Sequence, residues 1–153
     1  MNGIKTYELT QLQRRIESAI RQEKIKSGKV NLKIREKKQS QHFVNSKEYI
    51  EDKSYFNEKY SNIDKIKKLV DKYAGTGWIP DTKENRLNKS KERITINEKI
   101  GIYIGIDEKG KIILKQETNS FIIHYSKKGV HIVPSPNKED KKWKQSYFKK
   151  MLK

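Results

Sequence analysis

The chain contains no cysteine, which excludes disulfides, thiolate zinc sites and thiol nucleophiles together. It has three histidines, too few without cysteine to build a structural zinc centre. No Asp/Glu cluster with metal-ligand spacing accompanies them, so the expected chemistry uses no metal and no cofactor. No stretch approaches the roughly 18 apolar residues that span a bilayer. Met1-Asn2-Gly3-Ile4-Lys5 lacks the apolar segment of a signal peptide. A cytoplasmic site of action without a membrane partner is therefore expected. Acidic residues are scarce as well, with 19 Asp and Glu against 36 Lys and Arg and a net charge of +17. Such a field draws phosphate polymers and speeds encounter with them, so the composition points to a nucleic acid or an anionic surface as partner.

Hydrophobic residues make up 33% of the chain and the mean hydropathy is −1.02, both low for a globular protein. Tyr 8, Phe 4 and Trp 2 nevertheless provide the area for one compact core. A length of 153 residues suits a single domain with short extensions, and no internal repeat is visible.

Apolar periodicity sets the order of elements. Leu9, Leu12, Ile16, Ala19 and Ile20 recur at helical spacing, with Arg14, Arg15, Glu17 and Arg21 on the other side and Ser27-Gly28 as the stop. That stripe suits packing on the domain or on a partner helix. Val30, Leu32 and Ile34 alternate with Asn31, Lys33 and Arg35, which predicts a short strand. Residues 36–60 are polar and poorly periodic, a loop or short helices that carry function more than core. Ile63, Ile66, Leu69, Val70 and Tyr73 form one helical face, with Asn62 as N-cap and Gly75 as terminator. Residues 81–91 read as a flexible connection. Strands are predicted over 93–97, 100–106, 111–118, 121–126 and 130–133, the last two forming a hairpin around Lys127-Lys128-Gly129. Helices followed by a meander of strands define an α+β fold. Residues 137–153 combine lysines with Trp143, Tyr147, Phe148, Met151 and Leu152 at helical spacing, a basic amphipathic helix or tail.

Cleaving a phosphodiester without metal requires a base for the 2′-OH, an acid for the leaving 5′-oxygen and cations for the phosphorane. Histidine serves either proton role near neutrality, which singles out His42, His124 and His131. The placement of His124 and His131 depends on the turn between them. A Lys127-Lys128 loop opposes them directly and a Lys128-Gly129 loop sets them on a diagonal. A three-residue loop puts them on opposite faces. His42 follows Lys37-Lys38-Gln39-Ser40-Gln41, a polar run suited to phosphate and base edges. Gly75-Thr76-Gly77 reads as a helix C-cap and turn. It is no P-loop, since no Gly-Lys-Ser/Thr follows and no strand precedes it.

These residues resemble a known family. Gln39 through His42, Lys53-Ser54-Tyr55, Leu69 with Tyr73-Ala74-Gly75-Thr76-Gly77, and the run from Glu117 through His124-Tyr125-Ser126-Lys127-Lys128-Gly129-Val130-His131 to Pro134 look like the bacterial polymorphic toxin type 50 domain. The resemblance covers about residues 34–134. It divides the chain into a helical extension (1–33), a toxin domain (34–135) and the tail (136–153). It implies a barnase–EndoU–colicin–RelE-like ribonuclease fold, helices followed by a four-stranded antiparallel sheet. It also implies metal-independent RNA cleavage and an acidic immunity or antitoxin protein as a second partner beside RNA. On that reading His42 and His131 form the acid–base pair and His124 orients or shares the proton work. Lys127 and Thr118 stabilise the phosphate, and Tyr125 and Ser126 position it. Lys37, Lys38, Gln39, Gln41 and Lys128 complete the RNA-binding surface. The expected product is a 2′,3′-cyclic phosphate, and the pH–rate profile is expected to be bell-shaped around neutrality. The alternative function is a non-catalytic nucleic-acid-binding or virion-associated phage protein that uses the same basic surface.

Overall fold

A computed structural model describes residues 3–79 and 90–137. Most of the connection expected over 81–91, and nearly all of the tail expected over 137–153, lie outside the described residues. The architecture is α+β. Its elements are α1 (Gly3–Lys26), α2 (Glu36–Ser40), β1 (Tyr55–Phe56), a 3-10 turn (Glu58–Tyr60), α3 (Ile63–Tyr73), β2 (Lys91–Thr95), β3 (Gly101–Ile106), β4 (Ile112–Thr118), β5 (Ser120–Ser126) and β6 (Gly129–Ser135).

The strands do not form the four-stranded sheet expected from the resemblance. They fall into two antiparallel three-stranded sheets, ordered β1-β3-β4 and β2-β5-β6. The reason lies at Asn119, the single residue between β4 and β5. Thr118 still belongs to the first sheet, pairing with Gly101. Ser120 already belongs to the second, pairing with Thr95 and Ser135. The corner is pinned where Ile96 N–H donates to Asn119 O at 2.9 Å and where Thr118 Oγ1 donates to Ser135 O. A strand that turns such a corner feeds two sheets packed on each other.

Helix α3 follows local rules. The Asn62 side chain accepts from Lys65 N–H at 2.9 Å, capping the first turn. Ile66, Leu69 and Val70 are buried on one face. The helix ends before Gly75, whose φ of +88° is the left-handed conformation that stops helices. Its apolar face meets the inner face of β2-β5-β6, where Ile94, Phe121, Ile123, Val130 and Ile132 are buried. Tyr73 meets Phe121 edge-on, 6.4 Å between centroids.

Helix α1 is longer than its periodicity indicates and faces the other way. Leu12, Ile16 and Ile20 are about half exposed. Contact with the body comes from the opposite face: Ile25 is in the core, Ser18 Oγ donates to Ile79 O at 3.2 Å, and Gln22 Nε2 donates to Gly77 O.

Residues 30–34 do not form the expected strand. Only Ile34 pairs, in a single parallel bridge to Val130. Val130 N–H donates to Lys33 O at 2.7 Å and Arg35 N–H to Val130 O at 2.8 Å. One turn further on, the fully buried Gln39 takes over. Its Nε2 donates to Ile132 O at 2.9 Å and its Oε1 accepts from Ile132 N–H at 2.7 Å. A glutamine amide carries the same donor and acceptor as a peptide group. Here it continues the β6 ladder from a helix, so no strand is needed at that edge.

Candidate functional site

The hairpin closes through Lys127-Lys128, because Ser126 pairs with Gly129. His124 and His131 are consequently direct cross-strand partners, with ring centroids 4.7 Å apart and planes 14° from parallel. Strand alternation puts them on the face of β2-β5-β6 away from α3. His42 stands just past α2 and reaches the same place. Its ring lies 6.3 Å from that of His131, with planes 11° apart. Three imidazoles from two distant parts of the chain thus form one stack with His131 in the middle.

His42 is buried and fixed. Its Nδ1 lies 2.8 Å from Ser54 O, its carbonyl accepts from Phe56 N–H at 3.0 Å, and its own N–H donates to Gln39 O at 3.0 Å. A carbonyl accepts only, so neutral His42 carries its proton on Nδ1 and presents Nε2 as the basic atom. His131 Nδ1 is buried and has no hydrogen-bond partner among the described residues.

All three rings are held in the neutral form. Burial lowers the pKa of His42, helped by nearby Lys53 and opposed by the bond to Ser54. Burial, then Lys91, His42 and Lys38, lower His124 to about 4. Burial, then His124, His42, Lys38 and Arg35, lower His131 to about 3. Desolvation and like charge both disfavour the imidazolium. The same neighbours identify the cations around the stack: Lys38, Arg35 and Lys91, the last opposite His124 in the β2–β5 register.

The other residues singled out in the sequence are dispersed. Lys37 and Lys38 are exposed on α2. Gln41 is half-buried, with Lys53 Nζ 3.5 Å from its Oε1. Gln39, expected to contact RNA, has both amide atoms on the Ile132 backbone. Thr118 is fully buried and donates to Ser135 O and Asn137 Oδ1. Ser135 is four residues along β6 from His131, roughly 13 Å at strand rise, so Thr118 serves the sheet corner. Tyr125 faces the core, its hydroxyl donating to Glu92 at 2.6 Å. Ser126 Oγ donates to Gly129 O at 2.8 Å within the turn. Lys127 and Lys128 are exposed at the hairpin tip, where Lys127 lines a cavity shared with α1.

Three residues at or near the site escape sequence reasoning. Lys91 and Arg35 flank the imidazoles, but each reads as one basic residue among many. Glu92 is fully buried and accepts from Gly75 N–H at 2.9 Å, Gly77 N–H at 2.7 Å and Tyr125 OH. The amides of the Gly75-Thr76-Gly77 turn therefore hold an internal carboxylate. The signal for Glu92 was present as parity, since it shares the inward register of Ile94 and Ile96.

Among the described residues, no helix is long and apolar enough to cross a membrane, and no group of three or more His, Asp or Glu side chains is arranged to hold a metal ion. A family model described as bacterial toxin 50 matches residues 34–134, a span that contains all three histidines, Lys38, Arg35, Lys91 and Glu92. No curated protein matches the chain.

Proposed function

Because the chain belongs to the bacterial toxin 50 family, we propose that it is a toxin that acts as an endoribonuclease, cutting RNA by attack of the 2′-OH on the adjacent phosphate. The observation that carries this reading is the stack of His42, His131 and His124 with cations at its border. Nε2 of His42 takes the 2′-OH proton, the oxygen bonds to phosphorus, and the P–O5′ bond breaks. The leaving oxygen receives a proton from the His131–His124 pair, and the product ends in a 2′,3′-cyclic phosphate. Lys38, Arg35 and Lys91 balance the charge that builds on the phosphorane. They take the role that the sequence reading gave to Lys127 and Thr118. Stacked neutral rings supply a base readily. The acid arises when an anionic phosphate enters and favours one shared proton on the pair.

Incubating the full chain with total RNA in EDTA tests this directly. We expect cleavage with cyclic phosphate ends. His42→Ala, His124→Ala or His131→Ala should each slow it by about 10²–10⁴-fold, while RNA affinity, which rests on many lysines, changes little. RNA that is bound but left intact would favour a non-catalytic nucleic-acid-binding toxin. Cleavage lost in EDTA would rule out the histidine mechanism.

A further inference from the structure

Across the β5–β6 hairpin from the imidazoles, the C-terminal half of α1 and residues 29–31 enclose a cavity of about 340 Å³. Arg21, Lys24, Lys29 and Lys127 line it, over a floor that includes Ile25 and Val30, and among the described residues no carboxylate lines it. Four like charges around a partly apolar concavity repel one another and lose hydration, an arrangement that favours an anion at its centre. Arg21 is the clearest sign. Its Nε is buried and has no hydrogen-bond partner among the described residues, whereas buried polar atoms in native proteins are nearly all satisfied. Desolvation lowers the pKa of its guanidinium, and the Tyr125 hydroxyl acts in the opposite direction. A guanidinium offers its donors in one plane, matched to two oxygens of a phosphate or carboxylate.

We propose that this cavity is a second phosphate-binding subsite, which takes a phosphate of the RNA strand other than the one cleaved. The proposal rests on the ribonuclease reading for the identity of the strand. Two features favour RNA over an acidic protein segment. Four cations converge on one concavity, as suits a polyanion with a charge on every unit. The cavity also adjoins the Lys127-Lys128 turn. Lys127 is three positions along the chain from His124, roughly 10 Å at strand rise, so one RNA strand crossing the hairpin tip reaches both sites. Lys127 thus keeps a phosphate-binding role, at a different phosphate.

The test uses the full chain carrying His131→Ala, so that RNA stays intact, with single-stranded oligonucleotides in an anisotropy titration across salt. Arg21→Gln is compared with Lys24→Gln/Lys29→Gln, whose sites are exposed; circular dichroism verifies that both fold. We expect each to weaken binding about tenfold and to flatten the log–log salt slope by about 0.7 for each phosphate that is no longer neutralised. Inorganic pyrophosphate should compete with the oligonucleotide on the parent and less so on Arg21→Gln. In the otherwise wild-type chain, Lys24→Gln/Lys29→Gln should leave kcat on a dinucleotide unchanged while raising KM on a long RNA. Unchanged affinity and slope in both variants would overturn the subsite. So would loss of affinity for an acidic protein inhibitor with RNA affinity intact, which would assign the cavity to carboxylates. Pocket-dependent RNA binding by a chain that never cleaves RNA would support the subsite and sink the ribonuclease reading alone. A parent chain that binds no RNA would overturn both.

Discussion

His131 lies between two other imidazoles, so a proton on any ring raises the cost of a proton on the next. Its own pKa is lowered to about 3 and that of His124 to about 4. For the proposed cleavage this moves the working range. The base must be unprotonated, a form that dominates above the lowered pKa values. The acid must be protonated, a form that is lost as pH rises through and above them. The bell in kcat/KM, which reports the free protein, is therefore expected on the acid side of neutrality and not centred on it. Bound phosphate raises the imidazole pKa values, so the kcat profile should sit at higher pH than kcat/KM. Rate measurements on a short RNA across pH would show the separation, and a kcat/KM bell centred at neutrality would mean that the rings are solvated. The same shifts act on stability. Each folded pKa lies below the unfolded value of about 6.5, so the unfolded chain takes up protons first. Stability is then full above that value and falls as pH drops towards 4. Denaturant midpoints between pH 7.5 and 4 should decline, and the decline should be shallower in His131→Asn.

At the level of elements, the β5–β6 hairpin holds the site in register. Its turn residues Lys127 and Lys128 both keep negative φ, while Gly129 takes φ of +126°. A Cβ at Gly129 would stand 2.2 Å from Lys33 O, and that carbonyl accepts the Val130 N–H. Neither backbone can yield without breaking the bridge. Gly129→Ala should cost at least about 2 kcal/mol, seen as a lower Tm, and should separate residues 33–35 from β6. A Tm equal to the parent would show that this close approach is not a constraint. Gln39 ties α2 to the same strand through Ile132, the residue beside His131. The histidines are thus placed by a helix and a hairpin that share one edge. Asn62 and Gly75 were readable as helix signals because capping is local. The pairing of residues 30–35 was not, because strand alternation records a period and says nothing about which edge is near.

For the whole molecule, the charge of +17 dominates encounter with any polyanion. RNA affinity should fall steeply with salt, with a log–log slope of about −0.7Z on single strands for Z phosphates contacted. Titrations from low to physiological salt measure Z, and a flat dependence would show that the basic surface is not the binding surface. The same field favours capture of an acidic protein inhibitor through complementary charge. Expression of the unmutated chain without such a partner should arrest bacterial growth, and the His131→Ala chain should be tolerated. Equal growth with both would count against histidine-dependent toxicity.

The amino-acid sequence by itself determined the absence of thiol chemistry, the basic surface, the α3 boundaries and the alternating strands. It also singled out three histidines as candidates, and once the turn was two residues long the strand period placed His124 opposite His131. All of these depend on composition or on neighbours within a few residues. The tertiary structure decided what depends on distant pairing. It brought His42 to His131 across 89 residues of chain, divided the strands into two sheets at Asn119, and turned Leu12, Ile16 and Ile20 of α1 outward. It buried Gln39, Thr118 and Tyr125, which sequence had assigned to RNA, and brought Lys91 and Arg35 to the imidazoles instead. The physical reason is that a side chain's type and period are local properties. Its burial and its partners depend on which remote backbone closes against it.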